Sequence, residues 1–236
     1  MKNIVKKYIP KKALAFYHVT VRNIVRRAKS VPADEIVKFN SSTVSDGHFN
    51  VTYRGIPSIR CPFDYVMYQM LIFKIKPDLV IEIGTNHGGG ALYIADLMDK
   101  IGNGNVHTID IVKRAEKIVI GHPRIKLFTD GWEKYDLACT KNFKNILIIE
   151  DASHMYEDSL GALYKFSPLV SKGSYFIVED GIVSDLGRDK GFHGGPLRAI
   201  REFLVSNSDF QVDRSYCDMF GKNATFNVNG YLKRVK

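Results

Sequence analysis

Acidic residues are missing from the first thirty positions of this 236-residue chain, although nine of its 34 Lys+Arg fall there. All 25 Asp+Glu lie in residues 31–236, which are electrically balanced, so the net charge of +9 belongs to a basic N-terminal arm. A protein that grips nucleic acid along its main face carries its positive charge on that face, and the balanced body excludes this class of partner. No stretch approaches the ~18 uninterrupted apolar residues that a membrane-spanning helix needs. Cysteine is scarce: Cys61, Cys139 and Cys217 show neither metal-binding spacing nor an even framework. They read as reduced thiols of a cytoplasmic protein. The apolar stretch after the basic start is broken by Tyr17 and His18, and no small-residue cleavage site follows. A secretory leader is therefore not expected, and the mature chain is read from Met1. Internal repeats, low-complexity tracts, a GxSxG elbow, an HExxH pair and a 2-His-1-carboxylate iron pattern are also missing.

What remains is an ordinary globular composition, 45% hydrophobic and 25% charged. Its length suits one large domain with an appendage. Residues 1–57 are expected to form the appendage, and residues 58–236 the domain. In the arm, Leu14, Tyr17, Val21, Ile24, Val25 and Ala28 share one helical stripe over residues 11–29, with Lys and Arg on the other side. Such a helix either lies on an anionic membrane surface or packs on the body or a partner. Residues 33–58 read as irregular, with a short hairpin around Asp46-Gly47, and residues 62–76 as a helix ended by Pro77. Strand-like runs then fall at 79–83, 105–110, 125–130, 145–151 and 174–180. Helix-like stretches separate them, clearest at 90–101, 156–170 and 195–206. Near-continuous Val/Ile/Leu strands alternating with helices predict a parallel sheet covered on both faces. Two last strand candidates, 210–216 and 224–233, have no helix between them. Their connection around Gly221 predicts an antiparallel hairpin at the sheet edge.

Three constellations carry chemistry. Residues 79–83 run into a glycine-rich turn, Gly84 to Gly90, and then a helix start, where backbone can approach a ligand and free N–H groups are available. The spacing is not GxGxxG, so a dinucleotide fingerprint fits poorly. Asp110 ends the next strand, where an acid can accept from both hydroxyls of a ribose or simply cap the following segment. Two further strands end in acids, Glu150-Asp151 and Glu179-Asp180. Ligands of open α/β sheets gather at that rim. Asp151, Glu179 and Asp180 side by side would repel unless a hard cation such as Mg²⁺ joined them. His154 is either a general base or a structural cap of the next helix. The loop 191–196, with His193, is either a substrate lid or a long connection, and His87 reads best as a solvated turn residue.

Together these elements resemble a class I S-adenosylmethionine-dependent methyltransferase. More narrowly, they resemble the cephalosporin hydroxylase / rhamnosyl O-methyltransferase family. The matching pieces are PDLVIEIG at 77–84, GGAL at 89–92, IDI at 109–111, IEDASH at 149–154, GSYFIVED at 173–180, GPLRAI at 195–200 and NGYLKR at 229–234. The resemblance spans about residues 58–235. It implies a Rossmann-like α/β fold, a mostly parallel seven-stranded sheet with an antiparallel last strand and helices on both faces. It implies a cofactor pocket shaped by Glu82, Gly84, Asn86 and Gly88, with Asp110 and Ile111 at the ribose and Asp130 and Gly131 near the adenine. It also implies Mg²⁺ on Asp151, Glu179 and Asp180, with His154 beside the metal. The activity implied is Mg²⁺-assisted O-methylation of a hydroxylated small molecule or glycan, with Asp151 and His154 at the reacting hydroxyl. With the basic arm, we expect a sugar or glycolipid acceptor near the inner membrane face. A soluble secondary metabolite is the alternative acceptor, and a non-catalytic Rossmann-like module is the alternative to an enzyme. Homo-oligomers are compatible with either. Ala152-Ser153 departs from the family's usual pair before His154, and Asn86-His87 from its usual small residues.

Overall fold

The computed structural model describes residues 39–236. The basic arm and the helix expected over 11–29 lie outside the described residues.

The described chain opens with helix α1 (Ser41–Gly47), where a hairpin around Asp46-Gly47 was expected. Asn40 and Thr43 form a reciprocal capping box that fixes this helix start. The hairpin lies a few residues later, between β1 (Thr52–Tyr53) and β2 (Ile56–Pro57). It turns on Arg54 and Gly55, both at positive φ, as a two-residue hairpin turn of matching twist requires. Tyr53 donates to Asp96 and packs edge-on against Tyr93, which seats this hairpin on helix α3 (Gly89–Ile101). Helix α2 (Pro62–Ile75) starts on Pro62 and ends at Lys76, which takes the left-handed conformation before Pro77.

Then follow β3 (Leu79–Ile83), α3, β4 (Asn105–Ile109), α4 (Lys117–Ile120), β5 (Ile125–Phe128), β6 (Ile146–Glu150), α5 (Tyr156–Phe166), β7 (Tyr175–Val178), α6 (Gly195–Ser206), β8 (Phe210–Val212), α7 (Arg214–Cys217) and β9 (Tyr231–Arg234). The sheet order is β5-β4-β3-β6-β7-β9-β8. Strands β3 to β7 run parallel, and β9 is antiparallel to both neighbours. The antiparallel last strand matches expectation, but the connection to it does not. Residues 214–217 form a helical turn, because the Asp213 side chain accepts from Ser215 N–H as an N-cap, and Tyr216 and Cys217 are buried. β8 and β9 nonetheless pair antiparallel at the sheet edge as expected, joined by this longer connection rather than a tight turn.

Side-chain alternation divides the core. Val80, Val106, Leu147, Ile149, Tyr175 and Ile177 pack on one face, against α2 and α3. Leu79, Ile81, Ile83, Ile148, Phe176 and Val178 pack on the other, against α5 and α6. Every residue of β3, β6 and β7 is buried, which explains their unbroken apolar sequences.

Candidate active site

Sheet register builds the site. Ile83 pairs with Ile109 on one side and Glu150 on the other, and Glu150 pairs with Val178. The residues that follow these strand ends therefore share one rim: Gly84, Asp110, Asp151, Glu179 and Asp180. The chain leaves β3 toward β4 and β5, then returns to β6 and β7. The crevice between β3 and β6 is thus the switch point at which open α/β sheets bind ligands.

On the β3 side the turn is tight. Gly84 has φ +111, and a Cβ there would sit 2.0 Å from the carbonyl oxygen of Asp151. Gly88 caps α3 at φ +87, where a Cβ would meet Val119 at 2.6 Å. Asn86 also has positive φ, and its N–H donates to Asp110 Oδ2 at 2.8 Å. Asp110 Oδ1 accepts from the N–H groups of Ile111 (2.7 Å) and Val112 (3.0 Å). Three of roughly four acceptor positions on this carboxylate are thus occupied by backbone. Asp110 is fixed in orientation, with about one acceptor position left for a ligand hydroxyl. Asp130 is exposed at the end of the β5 segment. Gly131 is buried beside Ile111, and its N–H donates to Asp110 O. The turn, Asp110–Ile111 and Asp130–Gly131 therefore lie in sequence along one side of the crevice.

The acids sort by alternation. Glu82, Asp151 and Glu179 fall on the α2/α3 face, and all three reach the Arg60 guanidinium. Nε donates to Glu179 Oε1 at 2.6 Å, and Nη2 reaches Glu82 Oε1 at 3.0 Å and Asp151 Oδ2 at 3.4 Å. Glu82 Oε2 accepts from Thr108 at 2.6 Å, and Glu179 Oε1 also accepts from the Tyr68 hydroxyl at 2.7 Å. Burial raises the pKa of Glu82 and Glu179, and Arg60 opposes it. Burial and then Glu179 push Asp151 well above the carboxylate range. Burial disfavours the charge of Arg60, but Glu179 and Glu82 hold its pKa above the ordinary value.

Asp180 and Glu150 fall on the other face, toward His154. His154 Nε2 lies 3.1 Å from Asp180 Oδ2, and both residues have positive φ. Glu150 is pushed up to about 7 by burial, against the pull of His154. Asp151, His154 and Asp180 each place one ligand atom within 4.8 Å of the others. Two carboxylate oxygens and an imidazole nitrogen at a rim fit a divalent cation. Glu179 stands next to this group, with Oε1 turned to Arg60 and Tyr68.

Phe192 lies edge-on to the His154 ring with centroids 5.9 Å apart, so the 189–194 segment reaches the rim. His193 turns away, to Glu157 at 2.8 Å. His87 is partly buried near Glu116. Sequence reasoning missed Arg60, Tyr68 and Thr108. Arg60 stands between the segment read as irregular (33–58) and the helix read over 62–76, and its only signal was that several rim acids needed a counter-charge.

The rhamnosyl O-methyltransferase/CmcI family model matches residues 46–235. Relatives described as rhamnosyl O-methyltransferases are 30% identical over 193 residues in Mycobacterium bovis, covering 78% of each chain. The match is also 30% over 195 residues in Mycobacterium leprae, covering 78% of this chain and 82% of the relative. Among solved structures, CmcI with SAH aligns at TM-score 0.64 and 18% identity, covering 89% of this chain and 95% of that one. CmcI with Mg-SAM aligns at 0.61 and 21%, covering 90% and 84%. A Bacillus cereus O-methyltransferase with SAH aligns at 0.51 and 16%, covering 89% and 86%. The structures share the fold, and the sequence match decides the family: this chain belongs to the rhamnosyl O-methyltransferase/CmcI family and is an S-adenosylmethionine-dependent O-methyltransferase.

Proposed function

We propose that the protein methylates a sugar hydroxyl of a glycan or glycolipid acceptor, with assistance from Mg²⁺, close to an anionic membrane surface. The observation that carries the reading is the two-sided rim: a glycine turn with a fixed Asp110 on one side of the crevice, and Asp151, His154 and Asp180 on the other. In this reading Glu82, Gly84, Asn86 and Gly88 shape the cofactor pocket. Asp110 and Ile111 receive the ribose, and Asp130 and Gly131 lie at the adenine. Asp151, Asp180 and Glu179 hold the cation, with His154 as a neighbour. When bound, S-adenosylmethionine supplies the methyl sulfonium, and Mg²⁺ supplies positive charge beside the acceptor oxygen.

The residues of the chain then bind, orient and deprotonate. Methyl transfer needs oxygen and methyl carbon in line about 3 Å apart, so positioning contributes much of the rate. Asp180, 3.1 Å from Nε2 of His154, orients the imidazole, whose other ring nitrogen is then the candidate acceptor of the hydroxyl proton. Phe192 narrows the rim above His154. A vicinal diol suits two-point binding at a cation, which favours sugars. The membrane part is supported by the acid-free basic arm. Among the described residues no helix is long and apolar enough to cross a membrane.

The test is methyl transfer from S-adenosylmethionine to diol-bearing sugars and glycolipids, with and without Mg²⁺, for the wild type and His154→Gln. Transfer that depends on Mg²⁺ and falls at least a hundredfold in the variant is expected. Transfer to soluble metabolites alone would replace the sugar acceptor with the alternative. Absence of SAH binding in isothermal titration would remove the assignment of the cofactor pocket.

A further inference from the structure

The chain supplies its own cation to the rim. The Arg60 side chain is 3% exposed and meets acids from three neighbouring strands. Its nitrogens have distinct surroundings. Nε serves Glu179, and Nη2 serves Glu82 and Asp151. Nη1 is buried without a hydrogen-bond partner and lies against Gly90, where a Cβ would come within 2.1 Å of it. The backbone of α3 therefore presses directly on the guanidinium.

The three acids depend on Arg60 unequally. Glu82 is held independently through Thr108 on its second oxygen. Glu179 shares Oε1 between Arg60 and Tyr68. Asp151 has no other side-chain hydrogen-bond donor among the described residues.

We propose that Arg60 is a positioning residue. Its fork holds one oxygen of Asp151 and one of Glu179, and so sets these carboxylates for a divalent cation, while Glu82 and the cofactor turn stand without it. The proposal rests on the cation reading above. Its physical basis is that carboxylates on adjacent strands repel one another, and a planar guanidinium can bridge them at fixed spacing. An ammonium carries the same charge on one centre and cannot span Glu179 and Asp151 together.

Mn²⁺ is the probe, because oxygen-rich sites accept it as they accept Mg²⁺ and its free form is counted by electron paramagnetic resonance. SAH titration is run on the same preparations. In Arg60→Lys the Mn²⁺ dissociation constant is expected to rise at least tenfold, while that of SAH stays within about threefold. Mn²⁺ binding at wild-type strength, or SAH and Mn²⁺ weakening together, overturns the proposal. If Arg60→Lys does not fold, Gly90→Ala serves instead, because it deletes no polar group and brings a methyl within 2.1 Å of Nη1; the same methyl comes within 2.6 Å of Glu82 Oε1, so SAH titration accompanies it. Mn²⁺ binding weakened at least threefold with SAH binding unchanged supports the proposal, and unchanged Mn²⁺ binding or a joint weakening of both overturns it. A wild type that binds neither probe removes the functional reading and this proposal together. A wild type that binds both, with variants that do the same, removes only this one.

Discussion

At the scale of single residues, charge and its local partners decide the site. Asp110 is oriented by three backbone N–H groups before any ligand arrives. Asp110→Asn keeps a carbonyl for Ile111 and Val112 but places an amide where Asn86 N–H needs an acceptor and where, in the proposed reading, a ribose hydroxyl binds. SAH binding is expected to weaken at least tenfold, about 1.4 kcal/mol, read by isothermal titration. Asp64 is a further buried acid, on α2, close enough to the rim to feel the charge of Glu179. It accepts from Thr225, from Tyr231 at 3.0 Å and from Phe226 N–H at 3.2 Å. Burial nonetheless raises its pKa to about 7. An unfolded aspartate releases its proton near 3.9, so between about pH 4 and about pH 7 the folded state holds the extra proton. This contribution to stability is complete below about pH 4 and is lost as pH rises through about 7. Urea unfolding across that window is expected to fall more steeply with pH in the wild type than in Asp64→Asn, by up to about 1.4 kcal/mol per pH unit. Equal slopes would contradict the assignment.

At the scale of elements, close approach between neighbouring segments explains the glycines. Gly84 brings the end of β3 against the backbone that follows β6, so the glycine-rich turn and the acidic rim share one contact. Gly84→Ala combines an overlap with Asp151 O and a positive φ. A loss of about 3 kcal/mol is expected, lowering Tm by roughly 6–12 °C in calorimetry. A midpoint within about 2 °C of the wild type would mean that the two segments can separate cheaply. Alternation acts at this scale too. Glu150 and Asp151 are adjacent in sequence, yet Glu150 faces only the His154 side, whereas Asp151 reaches both Arg60 and the His154–Asp180 group.

At the scale of the whole molecule, the sequence separates an electrically balanced body from a basic arm. In the proposed reading the body performs the chemistry and the arm meets an anionic surface. Each Lys or Arg near such a surface contributes about 1 kcal/mol, screened by salt. Full-length protein is expected to sediment with anionic liposomes at low salt and to be released at high salt. Joint replacement of Arg22, Arg26 and Arg27 by Gln should weaken this, with neutral liposomes as the control. Equal sedimentation on neutral and anionic liposomes would remove the electrostatic role of the arm.

The succession of strands and helices was legible along the chain, because the apolar runs of β3, β6 and β7 are buried on both faces and glycine and proline punctuate them. The acids at the strand ends were legible for the same reason: parallel register carries consecutive strand ends to one rim. The start at Asn40 and the turn at Asp213 were not read, because short side-chain caps override weak periodic patterns. Arg60 was invisible for a different reason. It lies 22 residues from Glu82 and 119 from Glu179 in sequence, so their meeting depends on how α2 and the strands pack. The sequence by itself determined that the apolar runs of β3, β6 and β7 are buried and that acids stand just past the ends of β4, β6 and β7, since these follow from local periodicity. Only the tertiary structure decided which acid faces which cation, because that depends on the strand face and on a guanidinium contributed by a distant segment.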